Sequence, residues 1–66
     1  MEITLNGEQR QVRSGLTVSE LLEELRMADA TLAIALNREF VPRSEHATHT
    51  IEPGDVVELV APMQGG

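Results

Sequence analysis

LTVSELLEEL, residues 16–25, is the stretch that decides the fold, because it contains a dense helix-start pattern. Thr17 can accept hydrogen bonds from the first free amide groups, and Glu20, three residues on, can complete a capping box. Leu16 and Leu21 flank this cap as a hydrophobic staple. Apolar residues then recur at spacings of three, four and seven, which predicts one apolar stripe on a helix of roughly three turns. A small domain needs this stripe for its core, so we expect it to be buried.

The residues before this helix predict an antiparallel hairpin. Glu2–Leu5 alternates polar and apolar residues, as a strand buried on one face does. Asn6 and Gly7 follow, and both residue types tolerate the positive φ angles of a tight hairpin turn. Residues 9–13 then predict a second strand, whose mostly polar side chains indicate an exposed position.

Three extended segments follow the helix. Residues 32–36 are apolar throughout, which predicts a buried strand. Residues 40–43 form a short extended piece, and Pro42 confines it to a sheet edge because proline lacks an amide hydrogen. Residues 52–55, with the sequence EPGD, predict a tight turn before the last strand at residues 56–61.

The predicted order is strand, strand, helix, strand, short strand, strand. Two hairpins on one helix make an α+β domain, in which the first and last strands can pair centrally in a mixed sheet of about five strands. This is the ubiquitin-like β-grasp arrangement. We assign residues 1–62 to that domain and residues 63–66 to a flexible C-terminal tail, since Pro62 ends the last strand.

Size and charge exclude several classes of protein. A chain of 66 residues has no room for both a core and a deep enclosed pocket, which favours a carrier, adaptor or binding module over an enzyme. Its formal charge of −6 disfavours nucleic acid and favours a partner with a basic surface. His46 and His49 lack a third ligand nearby, so we expect solvated loop residues and no metal site. Without a signal peptide or a long apolar run, we expect a cytoplasmic protein with no membrane contact, monomeric when free.

The sequence stops at Gly65-Gly66. Two residues without side chains can enter a narrow slot and bring the backbone close to a ligand. The terminal carboxylate is anionic at neutral pH, so it can attack the α-phosphorus of ATP. Such an end suits a carrier that a partner enzyme activates, and the alternative is an ordinary frayed terminus. No lysine or metal-ligand cluster is near this end, so the partner must supply the catalytic groups.

Four motifs in β-grasp order make the whole chain resemble the ThiS family, the sulfur carrier proteins of thiamin biosynthesis. They are Ala35-Leu36-Asn37, Val41-Pro42-Arg43, Gly54-Asp55 and the terminal Gly65-Gly66. The resemblance implies that a ThiF-like adenylyltransferase, using ATP and Mg²⁺, converts Gly66 to an acyl-adenylate. Sulfur from a cysteine desulfurase then displaces AMP, and the resulting thiocarboxylate donates sulfur to a ThiG-like thiazole synthase. This chain itself would bind no cofactor.

The carrier also needs a surface that docks on the activating enzyme. Alternation along the third and last strands leaves apolar side chains on the sheet face opposite the helix, and an exposed apolar patch commonly marks an interface. The predicted contacts are Ala33, Ala35, Val56 and Val60 on this face, Phe40 at its border, and Met63, Gln64, Gly65 and Gly66 along the tail. Phe40 has a second interpretation as a core residue.

Three other functions stay open at this point. The chain could carry sulfur for molybdopterin synthesis, since terminal diglycine also occurs there. It could be a ubiquitin-like modifier that becomes conjugated to lysines of other proteins. It could also be a binding module whose glycine pair has no chemical role.

Overall fold

The computed structural model describes residues 1–27 and 33–60. In sequence order, the elements there are β1 (Glu2–Leu5), β2 (Glu8–Gln11), α1 (Val18–Glu24), β3 (Ala33–Leu36), β4 (Glu39–Phe40), a 3₁₀ turn (Arg43–Glu45) and β5 (Val56–Val60). Their order confirms the predicted sequence of strands and helix. The predicted boundary between domain and tail lies outside the described residues and stays a prediction.

The strands form one mixed five-stranded sheet in the order β2-β1-β5-β3-β4. β1 and β5 pair in parallel at the centre, with Thr4 opposite Val56. β3 pairs antiparallel on the other side of β5, with Ile34 opposite Leu59. β2 and β4 are the hairpin partners at the two edges. β5 is therefore held between two hairpins, and residues 61–66 follow this central strand directly in the sequence.

One apolar core joins α1 to a single face of the sheet. The buried side chains are Ile3, Leu16, Val18, Leu21, Leu22, Ile34, Leu36, Val41, Ile51 and Val57. Full burial of an aliphatic side chain of this kind contributes about 1.5–3 kcal/mol. Most of the helix stripe and of the alternate strand residues are among them, and Leu5, Leu25 and Leu59 are half-buried against this core. The predicted helix-facing side of the sheet is therefore confirmed.

The helix begins at the predicted capping box. The amide of Glu20 donates to Oγ1 of Thr17 at 3.2 Å, and the amide of Thr17 donates to Oε1 of Glu20 at 2.9 Å. The amides of Val18 and Ser19 donate to backbone carbonyls within residues 46–49. The first amides of the helix, which lack intrahelical partners, are thus satisfied by a side chain and by the segment that packs beside them.

The helix ends earlier than predicted, after seven residues instead of roughly three turns. Arg26 adopts a left-handed conformation with φ of 59°. The amides of Arg26 and Met27 donate back to the carbonyls of Glu23 and Leu22, which is the Schellman pattern of a helix C-terminus. Glycine usually occupies this left-handed position, so the sequence contained no clear stop signal.

Two other predicted boundaries were wrong. β2 ends at Gln11 rather than at residue 13, although Val12 still exchanges backbone hydrogen bonds with Met1. The predicted extended piece at residues 40–43 includes only the end of β4, because Pro42 starts the 3₁₀ turn and its carbonyl accepts from the amide of Glu45. The predicted first residue of the third strand and last residue of the final strand lie outside the described residues.

Candidate functional site

On the sheet face opposite α1, the part formed by β3, β4 and β5 is exposed and mostly apolar, whereas the β1–β2 part is polar. Phe40 is 65% exposed, Val60 56% and Val56 40%. Ala33 and Ala35 are half-buried on the same face. We call these five side chains, together with Glu58 between them, the open face. The interpretation of Phe40 as a core residue is therefore wrong.

The strand register makes a groove in the open face. Ala33 lies opposite Val60, and Ala35 lies opposite both Phe40 and Glu58 on its two neighbouring strands. The short alanine side chains form a floor between the taller side chains of β4 and β5. The resulting groove has a volume of about 310 Å³ and is lined by Asn6, Ala33, Ile34, Ala35, Phe40, Glu58, Leu59 and Val60.

A single carboxylate interrupts this apolar surface. Glu58 is exposed and sits in the middle of the open face, opposite Ala35. Within residues 1–27 and 33–60, the only ion pair joins Arg13 to Glu24, so Glu58 has no cationic partner there. A partner covering the open face would meet methyl and aromatic surface with one negative charge near its centre.

The end of β5 nearest the tail is fixed by the first hairpin turn. Asn6 and Gly7 have φ angles of 49° and 86°, as expected for the central residues of a tight hairpin turn. The amide of Asn6 donates to the carbonyl of Val57 at 2.9 Å. The amide of Leu59 donates to the side-chain oxygen Oδ1 of Asn6 at 2.8 Å.

The second hairpin turn fixes the other end of β5. Asn37 and Arg38 also have positive φ angles, 52° and 71°. The amide of Asn37 donates to the carbonyl of Val56 at 2.7 Å, and the amide of Val56 donates to Oδ1 of Asn37 at 3.0 Å. The side-chain amide of Asn37 also donates to Oδ1 of Asp55 at 3.1 Å. The sequence pattern predicted a turn at Asn6, but it did not predict the contacts of either asparagine with β5.

The two histidines differ in their surroundings. His49 is exposed, whereas His46 is half-buried and its ring Nε2 donates to the carbonyl of Val41 at 3.1 Å. The prediction of a solvated loop residue is therefore wrong for His46, which helps to hold the turn after β4. No cluster of three or more metal-ligating side chains occurs in the part of the chain that the structure describes. In that same part, no helix has the length and apolarity needed to cross a bilayer.

Met63, Gln64, Gly65 and Gly66 lie outside the described residues. The structure brings the open-face residues together along β3, β4 and β5, and the tail residues follow β5 in the sequence. Contact between any of them and an activating enzyme stays a prediction.

Known proteins resemble this chain over its whole length. The model of the ThiS family matches residues 3–66. The sulfur carrier protein ThiS of Escherichia coli is 39% identical over 66 residues, which span all of both chains. A crystal structure of the thiamine biosynthesis protein ThiS from Geobacter metallireducens superposes with a TM-score of 0.84, at 34% identity, and covers all of both chains.

A further match is to part of a larger protein. A thiazole synthase of Paramagnetospirillum magneticum is 38% identical to this chain over 66 residues. Those residues are all of this chain but only 20% of that protein. A segment like this domain therefore occurs within a protein named for thiazole synthesis.

Proposed function

The chain belongs to the ThiS family, and we propose that it carries sulfur on its last carboxyl group for thiazole formation in thiamin biosynthesis. The main support is the match to the Escherichia coli sulfur carrier, because it runs the full length of both chains and includes Gly66. The mixed sheet with one helix supports the same role, since it is shared with a ThiS structure at a TM-score of 0.84.

The proposed chemistry has two steps at Gly66. First, a carboxylate oxygen attacks the α-phosphorus of ATP, pyrophosphate leaves, and an acyl-adenylate forms. A hydrosulfide ion, released when excess thiol reduces the persulfide that a desulfurase forms from cysteine, then attacks the carbonyl carbon, and AMP leaves with the bonding electrons. The product is a thiocarboxylate, which can donate its sulfur to an acceptor.

A partner enzyme must supply the catalytic groups for both steps. The carboxylate and the triphosphate are both anionic, so Mg²⁺ and cationic side chains are needed to bring them together. This chain contains no lysine, and its formal charge is −6. A ThiF-like adenylyltransferase with a basic surface fits these requirements, and the electrostatic attraction would speed its encounter with the carrier.

The open face is the proposed docking surface for that enzyme. A face without a covering helix is usually polar, yet this one exposes Phe40, Val56 and Val60. Docking there would bury their apolar surface along β3–β5, and β5 is the strand after which the tail begins. The folded body would thus set where residues 61–66 enter the active site of the partner, and positioning of this kind can lower a reaction barrier substantially.

A thiazole synthase is the proposed sulfur acceptor. The support is the protein of that name that includes a segment 38% identical to the whole of this chain. That observation favours thiazole formation over molybdopterin synthesis and over protein modification. The intact mass experiment below distinguishes thiazole formation from these two alternatives.

Intact mass measurement tests the proposal. The chain is incubated with a ThiF-like adenylyltransferase, ATP, Mg²⁺, a desulfurase with cysteine, and excess thiol reductant. Exchange of oxygen for sulfur should raise its mass by about 16 Da. Deletion of Gly66 or addition of one residue after it should abolish the gain, while a residue added before Met1 serves as the matched control.

Each other result points elsewhere. Higher-mass conjugates with other proteins would favour a modifier. If the thiocarboxylate supports molybdopterin synthesis but not thiazole formation, the sulfur acceptor is the molybdopterin-forming enzyme and not a thiazole synthase. No change in mass with an active adenylyltransferase would contradict the proposal.

A further inference from the structure

We infer that Asn6 is a positioning residue for activation of the C-terminus, because its side chain fixes the strand end from which the tail continues. The inference rests on the proposed function, since it concerns how the last carboxyl group is presented to an adenylyltransferase. The hairpin turn that contains Asn6 would then contribute to the reaction as well as to folding.

The Asn6 side chain continues the backbone ladder between β1 and β5. In a parallel pair, one residue of the first strand donates its amide to the second strand and accepts the next amide with its own carbonyl. Asn6 donates to Val57 in this way, but its backbone turns away with φ of 49°. Its Oδ1 accepts from the amide of Leu59 at 2.8 Å instead. The side-chain oxygen therefore supplies the ladder bond that the turn would otherwise remove.

The second hairpin repeats this device at the opposite end of β5. Asn37 donates its amide to Val56, and its Oδ1 accepts the amide of Val56 at 3.0 Å. Both asparagines thus hold an amide of the central strand from turns with positive φ. They differ in position, because Val56 begins β5 and Leu59 is the next-to-last residue of β5.

This difference in position separates a functional effect from a structural one. Loss of either side-chain oxygen leaves one β5 amide without its partner. Only loss at Asn6 releases the strand near the point where residues 61–66 begin. A looser strand end lets the tail sample more directions, so a smaller fraction of docked carriers presents Gly66 correctly, and turnover falls with that fraction.

The experiment compares Asn6→Gly with Asn37→Gly in the full chain. Glycine keeps positive φ available in both turns, so each variant loses the side-chain oxygen without strain in the turn. The assay is ATP–pyrophosphate exchange by a ThiF-like adenylyltransferase with the carrier as the varied substrate, at a temperature where every variant is folded. Hydrogen exchange of the Leu59 and Val56 amides reports the local release.

The expected result for Asn6→Gly is a kcat lowered about three- to tenfold, with KM changed less than about twofold, because docking is retained while the competent fraction falls. Asn37→Gly should keep kcat and KM within about twofold of the wild-type values, although hydrogen exchange of the Val56 amide becomes faster. Asn6→Asp, which retains an acceptor oxygen and suits the same turn, should restore most of kcat. If Asn6→Gly unfolds at the assay temperature, both glycine variants and the wild-type chain are compared at a lower temperature.

Equal loss of kcat in the two glycine variants, or no loss in either, would overturn the inference and leave the proposed function intact. Absence of any exchange with the wild-type chain would overturn both. A change of KM alone in Asn6→Gly would also overturn the inference, because it would mean that Asn6 contributes to binding of the adenylyltransferase and not to presentation of Gly66.

Discussion

The two faces of the sheet are built from the same strands, but one face is buried beneath α1 and the other is exposed. Along β5, Val57 is fully buried beneath α1, while its neighbours Val56 and Val60 are 40% and 56% exposed on the other side. The covered face holds the domain together. The open face has a similar apolar character and no covering element in the described residues, which is why we assign it to a partner. We therefore propose that apolar residues in one strand serve stability on one side and recognition on the other.

The largest expected effect is on the covered face. Ile3→Ala removes a buried side chain of β1 that is 1% exposed, and it should lower the free energy of unfolding by about 2–5 kcal/mol. Phe40→Ala on the open face removes a larger side chain but should change the free energy of unfolding by only about 0.5 kcal/mol or less. Urea unfolding measures both values. Similar losses in the two variants would mean that the faces do not differ as described.

The next effect is on binding. Val60→Glu puts a second charge beside Glu58 on the open face, and burial of an unpaired charge in an interface is unfavourable. Affinity for the adenylyltransferase should fall at least about tenfold, which corresponds to about 1.4 kcal/mol, with stability unchanged. Ala47→Glu adds the same charge at an exposed position outside the open face and is the matched control. Isothermal titration calorimetry can compare them, and equal affinities would rule out docking through this face.

A smaller effect tests how far the covered face depends on the start of α1. Thr17→Ala removes the oxygen that accepts the amide of Glu20 at 3.2 Å. Loss of such a cap lowers the free energy of unfolding by about 0.5–2 kcal/mol. Thermal unfolding followed by circular dichroism measures the change. Ser14→Ala, at an exposed position before the helix, is the control and should show almost none.

The smallest effect concerns the end of α1 and has the opposite sign. Arg26 has φ of 59°, a conformation that is unfavourable for residues with a side chain. Arg26→Gly should therefore raise the free energy of unfolding by roughly 0.5 kcal/mol, since relief of strain exceeds the added freedom of the unfolded chain. A loss of stability would show that the Arg26 side chain makes a contact worth more than this strain.

The sequence predicted what periodicity controls. The capping box gave the correct start of the helix, and the helix stripe and the alternation in β5 gave the correct buried sides. The α+β β-grasp class is confirmed by the sheet and by the match to a ThiS structure. The sulfur-carrier role, as opposed to an enzyme, is confirmed by the family match and the full-length carrier relative. A cytoplasmic location and the adenylyltransferase partner stay predictions.

The sequence did not predict features that depend on long-range contacts. Val41 and Ile51 lie outside regular elements yet are 2% and 1% exposed, because the loops around them fold over the core. The hydrogen bond between Asn6 and Leu59 joins residues 53 positions apart, so no local pattern signals it. Arg26 ended the helix without the glycine that usually marks such a point.

The most direct measurement is fragmentation mass spectrometry of the carrier after reaction with the adenylyltransferase, ATP, Mg²⁺ and the sulfur source. We expect the added mass of about 16 Da to lie on Gly66 alone, in the fragment containing the last carboxyl group. Sulfur found on any other residue, or an unmodified Gly66 in a carrier that still supports thiazole formation, would contradict it.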